Sequence, residues 1–125
     1  NNRQLAAVPE ADVVITNPTH FSVALKYDPE AMATPILVAK GVDHFALKIR
    51  EVANEHNVQI MESPVLARAV YHTTDVDDEI PGALYMAVAQ VLAYVFQLRN
   101  YKKGIGERPE KPRNISVPKD MQFDP

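Results

Sequence analysis

A chain of 125 residues, 46% of them hydrophobic, is long enough to bury one compact core and forms one domain at most. It contains no cysteine, which excludes disulfides and thiolate metal sites. The net charge of -3 is unevenly spread: residues 1–98 hold six basic and twelve acidic side chains, whereas residues 99–125 hold seven and four. The acidic body is a poor footprint for nucleic acid. The basic tail is either a solvated segment or one that meets an anionic membrane or an acidic partner.

In chain order, residues 1–10 have no clear period and read as a linker from an upstream segment; the start Asn1-Asn2-Arg3 without an initiator Met suggests a fragment. Two β-like runs follow, Asp12 to Thr16 and Phe21 to Tyr27, rich in β-branched or aromatic residues and separated by Asn17-Pro18-Thr19-His20. This pattern predicts a hairpin. Asp28-Pro29 ends the second run, and residues 28–35 form a loop with one helical turn. Ile36 to Ala39 is a continuous apolar run, expected as a strand buried on both faces and closed by Lys40-Gly41. Phe45, Ile49, Val52, Ala53 and His56 line one face of an amphipathic helix with Asp43 as its expected N-cap and Asn57 as its left-handed stop.

Val58 to Glu62 reads as a further strand, and strand, helix and strand in succession make a crossover between parallel strands. The sheet is therefore mixed. Ser63-Pro64 opens a short helix ending near His72, and an acidic connection, residues 73–79, lacks the glycine and distal glutamate of a calcium loop. Pro81 opens the last helix, whose residues 83–98 are apolar except Gln90 and Gln97. Sixteen such residues fall short of the roughly twenty that span a bilayer, so this helix is expected to pack against the sheet. The expected fold is α/β: a small mixed four-stranded sheet with about four helices, over residues 11–101. Beyond it, Pro109, Pro112, Pro118 and Pro125 punctuate a flexible tail, residues 102–125, in which Ile115, Val117, Met121 and Phe123 could dock on the body or on a partner.

The Asn17-Pro18 dipeptide has two readings. It is a common turn starter. It is also a bond with unusual chemistry: proline has no backbone N–H, so the usual deamidation route through the following nitrogen is closed. What remains is attack by the Asn17 side-chain nitrogen on its own backbone carbonyl, which closes a succinimide and expels Pro18. Cleavage in minutes requires a barrier of roughly 21 kcal/mol. Positioning lowers that barrier, and a twist of about 25° in the bond would store on the order of 4 kcal/mol. Asn17 supplies the nucleophile, Pro18 the leaving group, and Thr19 and His20 shape the turn. The His20 side chain either polarises the carbonyl and helps protonate the leaving nitrogen, or makes a structural hydrogen bond.

Other chemistry finds little support. The histidines at 20, 44, 56 and 72 form no i, i+4 pair, and His44 and His56 on one helix would lie about 18 Å apart. With four glycines, a phosphate cradle is disfavoured. No cofactor is expected.

The run Ala11 to Leu25, with Asn17-Pro18-Thr19-His20 at its centre, resembles the signature of the FlhB/YscU family of type III export switch proteins. The resemblance continues through Val38-Ala39-Lys40-Gly41, Ile49-Arg50-Glu51, Glu55 to Val58, Leu66 to Tyr71, Ile80-Pro81 and Leu84 to Ala89. It covers residues 9 to about 100, and the tail is more similar to the flagellar branch. Phe21, Thr34 and Asp78 depart from the residues common in the family, and none of these departures touches the Asn17-Pro18 bond. The resemblance implies a cytoplasmic half that cleaves itself between Asn17 and Pro18 in a single turnover. It also implies a switch of export from early rod and hook substrates to late filament substrates. It places the domain at the cytoplasmic face of the bacterial inner membrane, attached to a membrane-embedded amino-terminal half. Its implied partners are exported flagellar proteins, a hook-length control protein, and export-gate and export-ATPase components. Finally, it implies a small apolar docking patch at Thr34, Pro35, Ala89 and Leu92, although Ala89 and Leu92 on an almost wholly apolar helix are equally explained by core packing.

Overall fold

The computed structural model describes residues 1–18 and 20–125. A four-stranded sheet has the order β3-β2-β1-β4, where β1 is Val13–Asn17, β2 Phe21–Lys26, β3 Ile36–Val42 and β4 Gln59–Glu62. β1 pairs antiparallel with β2 and parallel with β4, and β2 pairs antiparallel with β3. The sheet is mixed, as expected. The crossover strands β3 and β4 run in the same direction but lie at opposite edges, separated by the hairpin.

Helices cover both faces of the sheet. Val13, Ile15, Val23, Leu25, Leu37 and Met61 meet α3 (Pro64–Thr73) and α4 (Tyr85–Lys102), while Val14, Ala24 and Ala39 meet α2 (Asp43–Glu55) and the segment around Val8. Strand β1 is buried at every position because it is central and covered on both sides. Burying Val13, Val14 and Ile15 is worth roughly 1.5–3 kcal/mol each. The α4 helix buries Ala87, Val88, Val91, Leu92 and Val95 against the sheet layer. Among the described residues, no helix is long and apolar enough to cross a membrane.

Five local expectations need correction. Residues 1–10, read as a linker, form helix α1 (Asn2–Ala7) and a 3-10 turn, with Val8 fully buried. Asn1 caps α1 through its side chain, and Gln4 Oε1 accepts the Lys40 N–H at 2.9 Å. Strand β3 runs on through Gly41 to Val42 as an edge strand with alternating burial, not as a strand buried on both faces. A bulge opposite Ala24 and Leu25 turns Leu37 and Ala39 to different faces, and the acidic connection lies along its outer edge through Leu37 and Ile80. Asp43 is the first residue of α2, with φ 48°, and Val42 is the N-cap without a side-chain bond. His56 is exposed beyond the end of α2, whose buried residues are Ala46, Ile49 and Ala53.

The fifth correction concerns the tail. Val117 is buried in the α3/α4 core, Ile115 and Met121 pack on it, and Arg68 Nε donates to the Phe123 carbonyl at 2.9 Å. Proline prevents a long regular element here but not docking, because the apolar residues between the prolines find a surface. Asn57, at φ 58°, ends α2 as its residue type predicts.

Candidate functional site

The β1–β2 ladder closes at Asn17↔Phe21, so Asn17 is the last residue of the strand, and Pro18 and His20 lie in the turn that follows. Thr19 lies outside the described residues. Asn17 is buried, and the alternation of β1 carries its side chain to the face of Val13 and Ile15. Among the described residues no peptide bond is cis, so the Asn17-Pro18 bond is trans.

The His20 backbone N–H donates to the Asn17 carbonyl oxygen at 2.9 Å. This oxygen would carry negative charge if a nucleophile attacked the Asn17 carbonyl carbon, and a fixed N–H aimed at it favours that step. The imidazole is placed elsewhere. His20 is 54% exposed, with Nδ1 3.7 Å from an Asp43 carboxylate oxygen. An exposed pair of this kind contributes little to stability. Of the contributions open to His20, the main chain is the one in contact with the carbonyl.

Two sets of contacts hold the turn. On one side, the Phe21 ring packs on Tyr71 and His72 of α3, with ring centroids at 5.0 and 5.6 Å, and His72 meets Phe123 of the tail at 4.9 Å. On the other, α2 reaches the hairpin with polar groups. The Asp43 N–H donates to the His20 carbonyl at 2.9 Å, the Ser22 hydroxyl donates to the Ala46 carbonyl at 2.9 Å, and Arg50 Nη1 donates to the Pro18 carbonyl. Gly41, paired with Ser22, lets α2 come this close: a Cβ there would stand 3.1 Å from Phe45 Cβ and Cγ and would strike Cδ2. Sequence reasoning missed Arg50, Asp43 and Ser22. The available signal was the placement of positions 43, 46 and 50 at i, i+3 and i+7 on one helix.

At the other end of the hairpin, an almost wholly apolar groove of about 190 Å³ lies between the loop after β2 and α4. Tyr27, Pro29 and Pro35 form one wall, and Tyr85, Ala89, Leu92 and Phe96 form the other. Pro35, Ala89 and Leu92 are thus brought together, whereas Thr34 is half-buried beside Pro35 and does not line the groove. Leu92 is 2% exposed and belongs to the core as well. A hydrogen bond with Tyr85, then burial, then the charge of Tyr85 raise the Tyr27 phenol above its ordinary pKa. Among the described residues, no cluster of His, Asp or Glu suits a metal ion.

A mixed four-stranded sheet between helical layers, with an Asn-Pro bond where its central strand meets a turn, defines a class of small α/β domain. The chain belongs to the FlhB HrpN YscU SpaS family, which matches residues 1–95. It is similar to the cytoplasmic domain of FlhB from Shewanella putrefaciens, with a TM-score of 0.85 and 52% identity over 98% of this chain and 95% of that one. The flagellar biosynthetic protein FlhB of Salmonella typhimurium is 50% identical over 97% of this chain and 32% of its own length. That of Bacillus subtilis is 50% identical over 78% of this chain and 27% of its own. The chain spans about a third of the length of the curated relatives it matches.

Proposed function

We propose that this chain is the self-cleaving cytoplasmic domain of a flagellar type III export component and that it takes part in switching export from early to late substrates. The observation that carries the reading is the His20 N–H on the Asn17 carbonyl, next to a side-chain amide at the end of a fully buried strand. Asn17 Nδ2 bonds to the Asn17 carbonyl carbon. The bond to the Pro18 nitrogen breaks, its electron pair stays on that nitrogen, and the proton lost by Nδ2 ends there. The products are a succinimide at residue 17 and a free Pro18 amine, and the reaction occurs once per chain.

In this reading residues 1–10 connect the domain to a membrane-embedded half at the inner membrane, residues 11–101 form the switch, and residues 102–125 are a tail whose docking is reversible. The groove at Pro35, Ala89 and Leu92, next to Thr34, receives apolar segments of exported proteins; its almost purely apolar lining favours such a ligand. A hook-length control protein and the export-gate and export-ATPase components act on the same domain. Mass spectrometry of the purified chain under denaturing conditions tests the cleavage. The expected result is two chains, residues 1–17 and 18–125. A single intact mass would leave an interaction domain in which Asn17-Pro18 is only a turn.

A further inference from the structure

Helix α2 meets the hairpin along one stripe, through Asp43, Ala46 and Arg50. The first two contacts join main-chain or hydroxyl groups of the hairpin to the helix backbone. The third brings a guanidinium to Pro18, the residue whose nitrogen would leave. We propose that Arg50 is a positioning residue for the cleavage, holding the Pro18 carbonyl so that the pyrrolidine nitrogen departs from a fixed place as a weakly basic leaving group. This inference rests on the self-cleavage reading above.

Arg50 touches none of the atoms whose bonds change. It acts through Pro18, whose carbonyl carbon lies two bonds from the departing nitrogen. A hydrogen bond from an ionised donor is short and directional. It holds this carbonyl in place, and because the ring locks rotation about N–Cα, only the turn about Cα–C is left for the nitrogen to move relative to it. It also draws electron density from the carbonyl, which makes the departing amine less basic and the bond easier to break. Arg50 is half-buried on a helix packed against the sheet, so its planar fork arrives largely ordered. Pre-ordering is the condition under which positioning lowers a barrier.

If the contact merely braced the turn, its loss would cost stability and cleavage would slow only as the fold weakened. Cell-free synthesis separates the two roles: samples quenched in denaturant over time give the cleaved fraction by intact mass for wild type, Arg50→Ala, Arg50→Gln and Arg50→Lys. The Ala and Gln variants are expected to cleave about tenfold more slowly or worse, the Lys variant to recover most of the rate, and millimolar methylguanidinium to accelerate Arg50→Ala but not wild type. Melting temperatures, measured with Asn17→Ala added so that every chain is uncleaved, should stay within a few degrees of one another. Cleavage of Arg50→Ala at the wild-type rate overturns the proposal. So does slowing that tracks lost melting temperature without rescue. Should Arg50→Ala fail to fold, the Gln and Lys variants carry the comparison, and equal rates for those two count against the proposal. An intact wild-type chain removes the self-cleavage reading and this one with it, whereas a cleaving wild type indifferent to residue 50 removes this one alone.

Discussion

The two ends of the β1–β2 hairpin meet different helices. At the turn, Pro18 and His20 are held by polar groups of α2, and His20 is largely exposed. At the open end, Asp12 accepts the Tyr27 N–H at 2.7 Å and meets Arg99 of α4 at 3.2 Å, beside an apolar groove. Between them lie Val13 to Ile15 and Val23 to Leu25, all fully buried. Under the proposed function, bond chemistry falls at the turn and docking at the open end. The fully buried strands between them are expected to let either end change without disturbing the other.

The largest effect is expected from Asn17→Ala. Alanine accepts the strand-end conformation and has no nucleophilic nitrogen, so cleavage should be abolished while circular dichroism and the groove stay as they are. Any fragment ending at residue 17 in this variant would refute the cyclisation chemistry.

Next comes the middle of the hairpin, on which the separation of the two ends depends. Residues 1–17 supply α1, Val8 and the central strand, paired on both sides. After cleavage the two chains should therefore run as one species in native mass spectrometry or gel filtration and separate only in denaturant. Truncating the centre, Ile15→Ala, should cost about 2–5 kcal/mol in chemical denaturation. His20→Ala, at an exposed position, should stay within about 0.5 kcal/mol. Equal costs at the two positions would mean that the turn contributes as much stability as the central strand.

A smaller effect is expected at Gly41, which governs how closely α2 approaches the turn. In Gly41→Ala the new methyl meets the Phe45 ring, and relief by ring rotation should cost about 1–3 kcal/mol. Because α2 also carries Asp43 and Arg50, cleavage should slow in this variant, while ligand binding at the groove should not change. A change confined to the groove would break the assignment of α2 to the turn.

Much of this architecture was legible in the sequence because local and tertiary signals agree. β-Branched runs flank Asn17-Pro18, Asn57 suits the left-handed stop of α2, and most of the apolar residues 83–98 lie on α4, which packs one face on the core. The failures have physical causes. Helix α1 is too short to show a period, and its cap is the first residue. The β3 bulge is set by pairing with β2, which no local pattern encodes. The polar hold on the turn depends on where α2 lies in space, so Arg50 enters the sequence reading only as part of the Ile49-Arg50-Glu51 run, with no role attached. Leu92 showed the reverse problem: its residue type fits both core and patch, and at 2% exposure it serves the core while also walling the groove. Leu92→Asp would therefore bury an uncompensated charge and unfold the domain, which makes Ala89 the better position for testing docking.

The smallest expected effect is at the open end and concerns Tyr27. Its phenol is held above the ordinary value first by the hydrogen bond with Tyr85, then by burial and by the charge of Tyr85. The folded state thus favours the protonated phenol. The resulting stabilisation is fully present below the unfolded tyrosine value of about 10, and it is lost as pH rises through the higher folded value. Tyrosinate absorbance should accordingly show one of the five tyrosines titrating late in the native protein and normally in denaturant. Tyr85→Phe removes the leading cause and should bring that late step back toward the ordinary value without altering cleavage at the turn, some strand length away. Replacing His20 should leave the late step where it is. If the Tyr85→Phe titration is unchanged, the Tyr27–Tyr85 contact does not organise the groove wall. If it changes together with the cleavage rate, the two ends of the hairpin are coupled, and the strands between them transmit what they were argued to isolate.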